Sequence, residues 1–188
     1  MNQPITERMR WTIADLDLLP IDDRRYEIIG GELFVTRAPH WKHQKAINRA
    51  ANALDDWSQQ TQLGEAVPTP GVVFSDADSV IPDAVWISNE RLATGLDQAG
   101  HLIVAPELVV EVLSSGAENI RRDRELKLRL YSSRGVREYW IIDWQAQQME
   151  VYRRESAALT LVATLFPSDE LTSPLLPGFT MSIASLFT

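Results

Sequence analysis

The sequence predicts one α/β domain over residues 1–188: a mixed central β-sheet flanked by helices, preceded by an N-terminal helix and hairpin. Two observations lead there. The strand-like run "PELVVEVLSS" (106–115) is followed by a helical segment over about 117–133 and then by a second strand-like run, "VREYWIID"; a strand–helix–strand order brings two strands together in parallel. A diglycine, Gly30-Gly31, separates "RYEII" from "ELFVTRA", and two residues free to take positive φ between strand-like runs mark an antiparallel hairpin. Both connection types in one chain give a mixed sheet.

The remaining elements follow in order. "TIADLDLLP" predicts a short helix, with Thr12 as N-cap, Asp15 three residues on and Pro20 as the stop. Residues 41–62 have helical periodicity: Ile47, Ala50, Ala51, Leu54 and Trp57 share a face, with Gly64 as the expected C-cap. "GVVFS" and "VIPDAVWIS" read as strands joined by a polar turn at Asp76–Ser79, and "ERLATGLDQAG" as a weak helix or loop. After the central strand–helix–strand unit come the strand-like "MEVYRRE" and "LTLVATLF", then a last strand and terminal turn in "LLPGFTMSIASLF". The sequence has no internal repeat, low-complexity segment or long linker.

Composition narrows the function classes. Apolar residues make up 45% and charged residues 23%, a globular mix. With no cysteine, disulfides and thiolate metal sites are excluded. No apolar run approaches the roughly 20 residues that cross a bilayer, and "MNQPITERMR" lacks the apolar segment of a secretory leader; a cytoplasmic protein with no membrane partner is expected. No P-loop, GxSxG, GxGxxG or zinc pattern is present. The net charge of −8 disfavours bulk electrostatic attraction to nucleic acid. Yet residues 117–137 hold six Arg and one Lys against three acids, and "HWKHQKAINR" holds Lys42, Lys45 and Arg49 with no acid. These two basic segments are either phosphate-facing or solvated helix faces.

Three charged residues call for chemistry. Glu111 stands in the apolar strand with Val109 and Leu113 on its face and Leu108, Val110 and Val112 on the other. An isolated buried carboxylate costs several kcal/mol, so a cation, a metal ion, a hydrogen-bond network or a cleft must offset it. On the following helix, with Ile120 at 0°, Asp123 falls near 300° and Lys127 near 340°, within the apolar stripe, while Arg121, Arg122, Glu125 and Arg129 fall between about 100° and 200°. A helix that follows a strand packs its apolar stripe back on the sheet, which aims Lys127 at Glu111. Asp83 follows Pro82, which marks a strand start, an edge or a bulge. Two carboxylates on neighbouring strands plus a lysine suit Mg²⁺ or Mn²⁺ and phosphoryl chemistry; a buried Glu–Lys salt bridge with Asp83 in a turn is the non-catalytic alternative.

P-D, then an acid in an apolar strand, then a helical lysine, resembles the PD-(D/E)XK nuclease superfamily. The longer text is more specific: "RYEIIGGELFV", "IPDAVWIS", "PELVVEVLSS", "DRELKLRLYSSRGVREYWIID" and "SPLLPGFTMSIASLF" resemble the Uma-type restriction endonuclease family from about Trp11 to Phe187. The resemblance implies a restriction-endonuclease-like core with a divalent-metal site. Asp83 and Glu111 then match the metal-binding acids, with the backbone carbonyl of Val112 as a further ligand. Position 113, where the superfamily has its lysine, is Leu113 here; the Uma-type pattern supplies the lysine from "DxxxK", here Asp123 and Lys127. Glu27 of "RYE" matches an acidic position on the N-terminal elements of such folds. Ser115-Gly116 stands where the family favours a Pro, and Gly30-Gly31 where it often has Asp-Gly.

The resemblance thus implies a metal-dependent endonuclease hydrolysing DNA phosphodiester bonds: Asp83 and Glu111 bind Mg²⁺ (or Mn²⁺), and Lys127 stabilises charge and positions water. Arg121, Arg122 and Lys45 are candidate DNA contacts, as is Arg129 on the same basic helix, the alternative for the arginines being solvent-exposed helix charge. A homodimer is expected if both strands of a duplex are cut. The other class of reading is a non-catalytic nuclease-like module that binds DNA or protein. His43 falls on the apolar face of its helix, as a core residue or a site residue; His40 and His101 read as loop residues, Trp140 as core and Asp143 as the start of a turn.

Overall fold

The structure is a computed structural model that describes residues 10–188; the stretch 1–9, most of the "MNQPITERMR" read above as lacking a leader segment, lies outside them. From the N-terminus the chain forms α1 (Ile13–Leu16), β1 (Arg25–Ile29), β2 (Glu32–Thr36), α2 (Trp41–Thr61), β3 (Gly64–Pro68), β4 (Val72–Ser75), β5 (Asp78–Val80), β6 (Ala84–Ser88), α3 (Asn89–Leu92) and β7 (Leu108–Val112). A single helical rod follows, in three parts: α4 (Ala117–Arg121), a π-helical turn (Arg122–Lys127) and α5 (Leu128–Arg134). The chain ends with β8 (Glu138–Asp143), β9 (Gln148–Glu155), β10 (Ala158–Leu165), β11 (Glu170–Ser173), β12 (Leu176–Ser182) and a 3₁₀ turn, Ile183–Leu186.

A six-stranded sheet, ordered β10-β9-β8-β7-β6-β3, carries the architecture. Only the β7–β8 pair is parallel, with Leu108 opposite Glu138 and Val112 opposite Ile142; its helical crossover is the rod 117–134. The other pairs are antiparallel, so the sheet is mixed, as expected. A second antiparallel sheet, β2-β1-β5-β4, is nucleated by the 25–36 hairpin, whose two glycines both take positive φ, 60° and 80°. β11 and β12 form a separate ribbon.

Strand alternation divides the core. On one face Leu108, Val110, Val112, Trp140 and Ile142 pack with Ala46, Ile47, Ala50 and Leu54 of α2 and with Phe179 and Ile183 near the C-terminus. On the other, Val109, Leu113, Tyr139 and Ile141 pack with Leu130 and Tyr131 of α5 and with Val72 and Val80 of the second sheet. All five residues of β7 are buried. The short helix is held as read: the Asp15 carboxylate accepts from both the N–H and the hydroxyl of Thr12, at 2.7 and 2.8 Å.

Two sequence expectations need correction, and two strands have no counterpart among them. The helix 41–61 is capped by Gln62 in the left-handed region (φ 58°), not by Gly64. Gly64 instead starts β3, where a Cβ would fall 2.3 Å from the carbonyl oxygen of Ile87 on the adjacent strand. "VIPDAVWIS" is two strands in different sheets, broken at Ile81–Asp83 around the proline that cannot donate to a ladder. The strands β3 and β11 were not anticipated, because "GEAVP" and "ELTS" are short and lack an apolar run.

Candidate active site

β6 and β7 run antiparallel with Ala84 opposite Val110, so continuing the register sets Asp83 beside Glu111. The chain breaks at Pro82 just before β6, which frees the Asp83 side chain from the pleat. One Asp83 oxygen accepts from the backbone N–H of Val112 at 2.8 Å; the other receives the Arg25 guanidinium at 3.1 Å. His43, buried on α2, brings Nε2 to 3.5 Å from the first of these oxygens. Its Nδ1 is buried without a hydrogen-bond partner.

Glu111 faces the α5 side of the sheet, as alternation requires. Its Oε1 accepts from Lys127 at 2.9 Å and from the Tyr131 hydroxyl at 2.8 Å. The same Lys127 ammonium lies 2.9 Å from Glu27 on β1 and 3.9 Å from Asp123. Glu27 also accepts from the backbone N–H of Ile81. Lys127 is 1% exposed and Asp123 likewise, so the helical wheel placed both correctly. It misplaced Arg122, which is buried and contacts Asp123 at 3.2 Å. The π-helical turn is the reason. Its i→i+5 pattern sets Arg122 and Lys127 one turn apart on the same side, whereas 100° per residue sends Arg122 to the wet face.

Asp83, Glu111, Val112, Glu27, Asp123, Arg122 and Lys127 therefore line one pocket, together with Arg25 and His43. The cavity is about 30 Å³, room for a water or a bare cation. Four carboxylates, Glu27, Asp83, Glu111 and Asp123, share it with four cations, Arg25, Arg37, Arg122 and Lys127. Burial is the main influence on Glu111 and pushes its carboxyl up to about 8; Lys127 opposes the rise, while Asp83, Asp123 and Glu27 add to it. Burial also raises Asp123. Glu27 moves down despite burial, because Lys127, Arg122 and the Ile81 N–H all favour its charge. One ammonium cannot fully compensate two carboxylates, and the pair is pushed in opposite directions, Glu27 down and Glu111 up. Burial disfavours the charged form of Lys127 as well, but Glu111, Glu27 and Asp123 outweigh it and raise its pKa. His43 is pushed down by burial, against the pull of Asp83.

The donor set fits a hard divalent cation: carboxylate oxygens and a backbone carbonyl. It is not clenched into a finished cage. Among the described residues no three acids or histidines are already gathered in ligand geometry, and Arg25 and Lys127 each contact a carboxylate oxygen of the set.

The other sequence candidates lie elsewhere. Arg121 is exposed and paired with Glu125 at 3.2 Å; it lines a neighbouring groove of about 370 Å³ with Phe34, Asn119 and Arg122. Lys45 reaches the Thr188 carbonyl at 3.1 Å, away from the acids. Arg129 does not line the pocket. Trp140 is core, and Asp143 caps the turn after β8 by accepting from the N–H groups of Gln145 and Ala146. Sequence reading overlooked Arg25, although the signal was present: in "RYE" it stands two residues before Glu27, on the same strand face.

A mixed sheet with acids at the ends of two neighbouring strands and a lysine from the crossover helix defines the restriction-endonuclease-like class of α/β proteins. Comparison with known proteins agrees. A crystal structure titled as that of "a putative nuclease belonging to DUF820 from Anabaena variabilis ATCC 29413" superposes with a TM-score of 0.74 at 20% identity, covering 94% of this chain and 97% of that one. That likeness shows the fold. No curated protein matches the chain. The family model described as "Uma2: Putative restriction endonuclease" matches residues 13–184, and the chain belongs to that family. Family and fold together support a nuclease. Among the described residues no helix is long and apolar enough to cross a membrane.

Proposed function

We propose that the protein is a metal-dependent endonuclease that hydrolyses DNA phosphodiester bonds at the pocket between β6, β7 and the π-helical turn. The observation that carries this reading is the convergence of Asp83, Glu111 and Lys127, from three separate elements, on one small cavity. Asp83, Glu111 and the Val112 carbonyl would hold Mg²⁺ or Mn²⁺, with Glu27 as a further candidate ligand. Bound there, a divalent cation supplies Lewis-acid polarisation of a phosphoryl oxygen and a more acidic water. Lys127 brings a buried ammonium to the phosphoryl group, where it stabilises developing charge and positions the nucleophile. Asp123 and Glu27 hold that ammonium in place, and the Tyr131 hydroxyl fixes the orientation of Glu111. Arg122, drawn into the pocket, Arg121 in the neighbouring groove and Lys45 farther from the acids are the proposed phosphate contacts. A homodimer would set two such sites on opposite strands of a duplex.

A non-catalytic nuclease-like module is the second reading. It is favoured by the direct Arg25–Asp83 contact, which gives one acid a cation of the protein's own. Mn²⁺ titration of wild type and Glu111→Ala, alongside Mg²⁺-dependent plasmid nicking, separates the two. An endonuclease binds Mn²⁺, loses that binding on substitution, and nicks plasmid only as wild type. Absence of both Mn²⁺ binding and nicking in the wild type overturns the catalytic reading.

A further inference from the structure

Beside the acidic pocket lies a larger groove of about 400 Å³, lined by Arg37, His40, His43, Ser114, Asn119 and Trp144 among others. It is continuous with the pocket, since Arg37, His43 and Ser114 border both. Among the described residues no acid lines it, in contrast to its neighbour. Its aromatic wall is set in advance. The rings of His40 and Trp144 are stacked with centroids 4.6 Å apart and planes 8° from parallel. Trp144 is pinned by an indole N–H bond of 3.1 Å to the Leu113 carbonyl, just beyond the acid-bearing end of β7. His40 is pinned as the N-cap of α2, its Nδ1 accepting from the Lys42 N–H at 3.1 Å. That bond leaves the neutral ring's proton on Nε2, available as a donor. Although pinned, His40 remains exposed.

We infer that this groove is a subsite for an unpaired nucleobase flanking the phosphate in the acidic pocket, so that the protein acts on single-stranded or locally opened nucleic acid. The inference rests on the nuclease reading for the position of that phosphate. A rigid aromatic face needs no reordering to stack a base, and a base within a duplex already has both faces covered. The groove has the volume of a small-ligand site, and Arg37 stands where the pocket and the groove meet, placed to meet the connecting phosphate.

The test is fluorescence anisotropy of labelled dT12 in EDTA with wild type, Trp144→Ala and Trp144→Phe, and with a 12-base-pair duplex in parallel. A stacking site predicts that Trp144→Ala weakens dT12 binding by at least about fivefold while Trp144→Phe stays within about twofold. Both variants lose the bond to Leu113, so an equal loss in the two identifies a loop pin and overturns the subsite. Undetectable wild-type binding to both dT12 and rU12, binding of both unchanged in Trp144→Ala, or a duplex that depends on Trp144 as strongly as the single strand also overturns it. The same comparison with rU12 shows which sugar carries the base, and Trp144 dependence in either oligomer supports the site. Mg²⁺-dependent cleavage of dT12 by wild type is scored separately: its absence counts against the nuclease reading and leaves the binding result standing.

Discussion

Glu27 and Glu111, from strands of two different sheets, share one ammonium, each with a carboxylate oxygen 2.9 Å from Lys127 Nζ. That lysine joins the hairpin sheet to the central sheet through a buried charge network, and it is also the proposed catalytic cation. Stability and activity at this point are therefore coupled, and experiments need to separate them.

Lys127→Ala should abolish nicking and cost about 3–5 kcal/mol of stability, because it leaves buried carboxylates without their partner. The double variant Lys127→Met/Glu27→Gln should recover much of that stability and none of the activity, because it also removes the buried charge of Glu27, for which Lys127 is the largest favourable influence. Urea denaturation and plasmid nicking on the same preparations check both. Nicking at the wild-type level by Lys127→Ala would remove the lysine from the mechanism.

Glu111 makes stability depend on pH in a defined direction. Its carboxyl is raised to about 8 in the folded protein, chiefly by burial. Above the unfolded value the folded state holds a proton that the unfolded chain releases. The contribution is thus fully present below the unfolded pKa and is lost as pH rises through about 8. Glu111→Gln cannot ionise, so its Tm relative to wild type should climb between about pH 5 and pH 9. A constant difference across that range would show that Glu111 does not titrate there.

Arg25 occupies one oxygen of Asp83. If a divalent cation needs that oxygen, Arg25→Ala should tighten Mn²⁺ binding several-fold, read by calorimetry. Unchanged affinity would show that the guanidinium and the metal do not compete.

At the far end of β6, Gly64→Ala sets a Cβ against the fixed carbonyl of Ile87. Backbone has to shift to admit it, so a loss of about 1–3 kcal/mol is expected, measurable as a lower Tm without a change in metal binding.

Much of this protein is legible along the chain. Local chemistry decides the diglycine hairpin, the Thr12–Asp15 cap and the apolar face of α2, and each is as the sequence reads. Strand alternation alone sends Glu111 to the helix side of β7, and helical spacing alone puts Asp123 and Lys127 in the buried stripe. Those two periodicities, with the Pro82 break ahead of Asp83, suffice to nominate the site.

What they cannot settle is set by contacts between segments distant in sequence. The partnership of Glu27 with Lys127 exists only because the hairpin sheet packs over the crossover helix. Arg25 reaches Asp83 across 58 positions, and no local pattern encodes such a pair. Arg122 turns inward because the helix widens at residues 122–127, where buried acids reward an additional cation. The stack of His40 on Trp144 joins a helix cap to a turn a hundred residues later, and neither residue has a local signal for it. Periodicity fixes which way a side chain faces within its own element; which charge it meets there is decided only when the elements pack.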